Sequence, residues 1–286
     1  MSRALSAIAL IVSLLCISEG SARAQALPVQ IEMDAASFAY DDSRSLLEVY
    51  LAFEAPTLDF EWDTNIYRAF LPLQLILRRS TQSGVEGGVD ETVWSDSLNL
   101  SFVVPDTSGF VQGQHFLHQV RTAVPPGEYE LDIVLSPDES AGRPEVRMRR
   151  DVVVPSYVFG NLPSVSDITL ASSIEPSEDR ESPFYKNGLL IRPNANQLYG
   201  EGLPRLYYYA ETYNADAVSG GDDGYTLLCY IAEANLANPL PDLSRRLRRP
   251  LRSPDVIAGS FDIAALPSGS YFLRMVVLNT DNEAIV

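Results

Sequence analysis

The sequence predicts an all-β chain: two tandem β-sandwich domains behind a cleaved signal peptide. Three observations carry that expectation. No stretch after residue 25 sustains helical spacing for three turns. Short apolar or alternating runs instead recur between Gly, Pro, Asn and Asp, which is the signature of strands and hairpins. Finally, the pattern Pro, Gly, any, Tyr, any, Leu occurs once in each half, with Tyr129 and Tyr271 separated by about one domain length.

The chain opens with Arg3, an apolar run over 7–17 and then Ala22-Arg23-Ala24. A positive start, a short apolar stretch and an A-x-A site describe a secretory signal peptide over 1–24, with the mature chain starting at Gln25. The run is shorter than the roughly 20 residues that span a bilayer, and no later segment is apolar enough to cross one. Cys16 is a poor lipid anchor, since Leu14 and Leu15 precede it where a small residue is wanted. Losing Arg3, Glu19 and Arg23 takes the net charge from −17 to −18. A surface this acidic repels nucleic-acid phosphates and anionic membranes. Cys229 is then the lone cysteine, so no internal disulfide forms and the fold rests on apolar burial. It lies in an apolar run over 225–232, where a buried small residue is expected rather than a reactive thiol.

Strands are expected near 28–35, 45–54, 66–78, 92–104, 114–121, 128–135 and 145–154, forming a first domain over 25–157. A second set near 165–171, 188–192, 205–213, 225–233, 243–249, 257–263 and 270–278 forms a domain over 158–286. The boundary falls within 154–167, where Pro155, Gly160 and Pro163 interrupt both periodicities. In immunoglobulin-like sandwiches a Tyr at the start of the penultimate strand folds its hydroxyl back onto the chain. Tyr129 and Tyr271 fit that corner, and Leu131 and Leu273 stand where a disulfide Cys is usual. After Leu278 the turn NTDN leads only to EAIV, so the second sandwich is expected to lack most of its last strand.

The segments FYKNGLLIRPNANQLYGEGLPRLYYYAETYN (184–214) and LPSGSYFLRMVVL (266–278) together resemble the amino-terminal region of bacterial GWxTD-domain proteins, over roughly 164–286. That resemblance implies an exported envelope protein and supplies no catalytic residues. The Gly-Trp-x-Thr-Asp motif is absent, and Trp62 and Trp94 both lie in the first half.

Chemistry-bearing patterns are sparse. His115 and His118 fall on opposite faces of a strand and lack a third metal ligand nearby. No acyl-transfer elbow, H-E-x-x-H or phosphate loop is present, so neither a catalytic nor a metal site is assigned. Two segments are calcium candidates: Asp59, Glu61, Asp63 and Asn65 offer oxygen ligands at every second position, and the acidic loop over 214–225 holds Asp216, Asp222, Asp223 and Gly224. Strand alternation with one wet face, and a hairpin turn, are the commoner explanations. Arg245, Arg246, Arg248, Arg249 and Arg252 concentrate positive charge on an acidic protein. They fit either docking of an anionic partner or a charged edge strand that discourages sheet pairing. In the tyrosine run, Tyr207 and Tyr209 share one strand face and Tyr208 the other, so at least one set packs into a core. The reading is a non-enzymatic exported interaction or scaffold module whose partner is an envelope protein or polysaccharide, with no nucleic acid and no transmembrane segment. The alternatives are a polysaccharide-binding accessory module and a hydrolase with a carboxylate site.

Overall fold

A computed structural model describes residues 28–79, 91–139, 142–157, 163–200, 202–218, 224–234, 238–279 and 282–285. The expected signal peptide lies outside these residues. The described chain is all-β, without an α-helix. Its first strands are β1 (Ile31–Ala39), β2 (Ser45–Glu54), β3 (Glu61–Asp63), β4 (Ile66–Arg79), β5 (Thr92–Val104), β6 (His115–Val124), β7 (Gly127–Leu135) and β8 (Val146–Val154). They are followed by β9 (Ser164–Val165), β10 (Thr169–Pro176), β11 (Tyr185–Lys186), β12 (Leu189–Pro193), β13 (Arg205–Tyr213), β14 (Gly224–Glu233), β15 (Ser244–Pro250), β16 (Asp255–Asp262) and β17 (Tyr271–Leu278).

Every pairing is antiparallel. In the first half a sheet ordered β1-β2-β6 faces one in which β5, β4, β7 and β8 lie side by side, with β3 hairpinned onto β4. Alternation aims Leu47, Val49, Leu51 and Phe53 of β2 at Leu71, Leu73, Leu75 and Leu77 of β4, and these close one core. The second half repeats the order: β10-β13-β16, extended by β12 and β11, faces β15-β14-β17. Tyr208, Leu227, Cys229, Ile231, Phe261 and Val277 fill that core. Burying a side chain of this size contributes about 1.5–3 kcal/mol.

A third cluster joins the halves. Ala36 and Phe38 of β1 and Tyr50 and Ala52 of β2 pack against Ala171, Ile191 and Tyr209. β2 and β13 are therefore buried on both faces almost throughout, as strands covered by layers on either side must be.

Several strands differ from the sequence expectation, among them the unexpected β3 and β11, and two of the differences have a visible cause. β1 runs on to Ala39 because Ala36 and Phe38 have the third cluster to enter. The strand expected at 165–171 breaks into β9 and β10. The break falls at Ser166 and Asp167: Asp167 donates its N–H to the Ser37 carbonyl at 3.2 Å and accepts from the Ser37 N–H at 2.8 Å. After β17 the chain turns, and Leu278 bridges Ala284, with the Ile285 N–H donating to the Val277 carbonyl at 2.9 Å.

Candidate functional site

A dense set of titratable groups lies between the halves, and a hairpin delivers its key residue. Asn187 (φ 50°) and Gly188 (φ 81°) form the two-residue turn joining β11 to β12. Both positions have positive φ, the conformation for which an Asn-Gly turn is favoured. The turn carries Lys186 into the seam. Its Nζ lies 3.2 Å from Glu48 Oε1 and 3.7 Å from Glu211 Oε1, and 2.9 Å from the Phe38 ring centroid. Burial holds the Lys186 pKa below its ordinary value, against the pull of the two carboxylates.

Each carboxylate has further partners. Glu48 accepts from the Tyr50 hydroxyl at 2.7 Å and from Arg121 Nε at 2.9 Å. Glu211 accepts from the hydroxyls of Tyr209 at 2.5 Å and Tyr213 at 2.8 Å, and from Asn187 Nδ2 at 3.1 Å. Tyr50 also shares a bond with Thr169 Oγ1 at 2.9 Å, across the seam. Burial, then the nearby carboxylate, keeps Tyr50, Tyr209 and Tyr213 protonated far into the alkaline range. The space left in this knot is only about 10 Å³, no more than a single water needs and far below a small-molecule site of roughly 300–1,000 Å³. Chemically the knot can lock two units together; it admits no substrate. The FYKNG and YYYAE-x-YN segments meet in it. The spacing of residues within each segment gave no sign of that meeting, because Lys186 and Glu48 are 138 residues apart.

The other candidate residues are dispersed. Tyr129 donates its hydroxyl to the Pro125 carbonyl at 2.5 Å and Tyr271 to the Pro267 carbonyl at 2.9 Å, so both fold back four residues. Leu131 is fully buried in the first core and Leu273 packs on the second. β15, an edge strand, carries most of the arginine cluster. Arg249 faces inward, binding Asp255 through two 2.8 Å bonds and the Val256 carbonyl at 2.7 Å. Arg245 lies 5.1 Å from the Phe261 ring centroid, and Arg246 bonds Asn282. Arg245, Arg246, Arg248 and Arg252 remain exposed.

Asp59 faces Arg143 at 3.7 Å and Asp63 faces Arg68 at 3.5 Å, while Glu61 and Asp63 sit on exposed β3. In the second calcium candidate, Asp222 and Asp223 and the Asp216 side chain lie outside the described residues. Gly224 begins β14. Among the described residues no three His, Cys, Asp or Glu converge as a metal site. His115 faces Glu32 at 3.4 Å, and burial holds the pKa of His118 below its usual value. Burial pushes the Cys229 thiol up to about 11, which leaves it protonated and unreactive.

Tyr208 enters the second core and Tyr209 the seam, so neither presents an open aromatic face. The exposed aromatics are elsewhere. Trp62 packs edge-on to Tyr67 at 4.9 Å, and Arg68 lies 5.6 Å from the ring centroid of Phe70. Sequence reasoning missed this pair, although solvent-side alternation along β3 and β4 was the available signal.

A cleft of about 380 Å³ lies beside β17, lined by Leu170, Leu206, Ile231, Ile263, Leu266 and Leu273, with Gln197, Ser268 and Ser270 also on its wall. No helix among the described residues is long and apolar enough to cross a membrane. No protein-family model matches the chain, and no curated protein matches it.

Proposed function

We propose that this chain is a non-enzymatic exported envelope protein, an interaction and scaffold module of two immunoglobulin-like units held in fixed relation. The repeated strand order and the two folded-back corner tyrosines support the immunoglobulin-like assignment. The segment over 1–24 and the GWxTD resemblance support export to the envelope. The observation that carries the scaffold role is the seam, in which Lys186, Glu48 and Glu211 are locked inside a layer that both units share. Flexibly linked domains would leave those faces wet. The exposed arginines of β15 then act as a docking face for an anionic envelope partner.

The test is retention of the purified chain on immobilised dextran sulfate at low salt, with the eluate assayed for released saccharide. The wild type should be retained, elute as salt rises and release nothing. Replacing Arg245, Arg246, Arg248 and Arg252 with Ser should abolish retention while leaving the melting temperature intact. Equal retention of that variant, or saccharide release, would contradict the reading. A second reading, a polysaccharide-binding accessory module, rests on exposed Trp62 and Phe70, since aromatic faces of this kind stack on sugars. Loss of neutral-glycan binding in Trp62→Ala would favour it.

A further inference from the structure

The halves repeat one strand order but close differently. In the first, β8 covers the outer edge of β7 along its whole length, from Gly127 opposite Val154 to Leu135 opposite Val146. β8 turns Val146, Met148, Val152 and Val154 into the core. Arg150 spans to β1, where it bonds the Met33 carbonyl at 2.7 Å and Asp34 at 2.9 Å. β8 thus fills the gap between β7 and β1.

In the second half β17 takes the place of β7 and β10 that of β1. Between them lies the cleft of about 380 Å³, in which the aliphatic lining is joined by Gln197, Ser268 and Ser270. The Val277 carbonyl faces outward, where it accepts from Ile285. In an antiparallel strand alternate residues direct their N–H and C=O to the same side. Met275, Leu273 and Tyr271 therefore direct theirs outward too, and among the described residues no strand pairs with them. An unpaired edge beside an open, partly apolar cleft is what strand addition uses: main-chain bonds give affinity and alternate side chains fill pockets.

We propose that β17 and this cleft take a β-strand from a partner polypeptide, added antiparallel along 271–275. Its alternate residues are apolar and enter the cleft, and its opposite face carries an acid. The charge follows from the repeat. On β7, three residues past Tyr129, Asp132 faces Arg149 of β8 at 3.0 Å. Three residues past Tyr271, β17 has exposed Arg274, and exposed Phe272 stands where β7 has Glu130. Like charges directly opposite each other repel, so a strand built like β8 is rejected and an acidic one accepted. This deepens the interaction role proposed above and rests on it for the existence of a partner. It uses the edge of the sheet opposite β15.

The test uses the full chain and fluorescence anisotropy with three labelled nonapeptides. In the first, Val alternates with Asp and Ser; in the second, Arg replaces Asp; the third is the first with alternate backbone nitrogens methylated. The acidic peptide should bind about fivefold more tightly than the Arg peptide. Methylation should abolish binding, and Arg274→Glu, at an exposed position, should reverse the preference. Equal binding of the two charged peptides, an unchanged order in Arg274→Glu, binding that survives methylation, absence of saturable binding, or dimerisation of the chain through β17 would each overturn the inference. Silent peptides with dextran sulfate retention intact would sink the strand site alone. Bound peptide with retention absent would sink only the arginine face.

Discussion

The corner tyrosines and Lys186 show how differently single residues can act in one fold. Tyr129 is buried and its hydroxyl satisfies the Pro125 carbonyl, while the Tyr271 bond lies near solvent. Tyr129→Phe should cost about 1–1.5 kcal/mol, because its bond is partly shielded from water, and Tyr271→Phe, whose bond is exposed, about 0.5 kcal/mol. Urea denaturation of the two variants checks the order. Lys186→Met removes the cation from between two buried carboxylates and should cost about 3–5 kcal/mol. Adding Glu211→Gln should recover part of that loss, and failure to recover any would show that the pair is not coupled. The corner was legible in the sequence because its Pro, Gly, Tyr and Leu are neighbours along the chain. Lys186 was not, since its carboxylates come from β2 and β13 and only tertiary packing brings them together.

Strands were the best-read scale. Short runs punctuated by turn residues placed β2, β4, β7, β8 and β13 close to where they lie, and alternation separated Tyr208 from Tyr207 and Tyr209 on β13. The second face of β2 was hidden: Glu48 among SLLEVYLAFE looks like the mark of a wet side, yet it is buried against Lys186 and Arg121. Very short β9 and β11 carry too few residues to show any period. A glycine on β16 has a similarly local reason. Gly259 lies opposite Tyr208, and a Cβ there would fall 2.4 Å from the tyrosine Oη and 2.6 Å from its Cζ. Tyr208 is buried and cannot retreat, so Gly259→Ala should destabilise by about 1–3 kcal/mol through overpacking. A thermal melt checks this, and a neutral or stabilising result would mean that the ring shifts freely.

At the scale of the whole molecule, three clusters rather than two hold the described residues together, and polar contacts tie the third. Ser37, Tyr157 and Asp167 bond across it, as do Gln197 and Asp34 at 2.8 Å. Composition and charge gave no sign of this fusion; the tandem repeat implied two bodies but not their contact. The buried tyrosines set an alkaline limit. Burial raises the pKa of Tyr50, Tyr129, Tyr157, Tyr208, Tyr209, Tyr213 and Tyr225, so the folded chain keeps protons that the unfolded chain loses near pH 10. Their stabilisation is fully present below that pH and falls as pH rises through it, by up to about 1.4 kcal/mol per unit for each group. Lys186, with its lowered pKa, opposes this as one group against many. Melting temperature should therefore drop steeply above pH 10, and a flat profile to pH 11 would refute the burial of these hydroxyls. The claim that the seam makes one body of two sandwiches meets its most direct test in calorimetry of Leu131→Ala, a cavity placed wholly inside the first core. The account predicts one transition that moves to lower temperature as a whole; a split trace, in which part of the enthalpy shifts and the rest stays at the wild-type temperature, would contradict it.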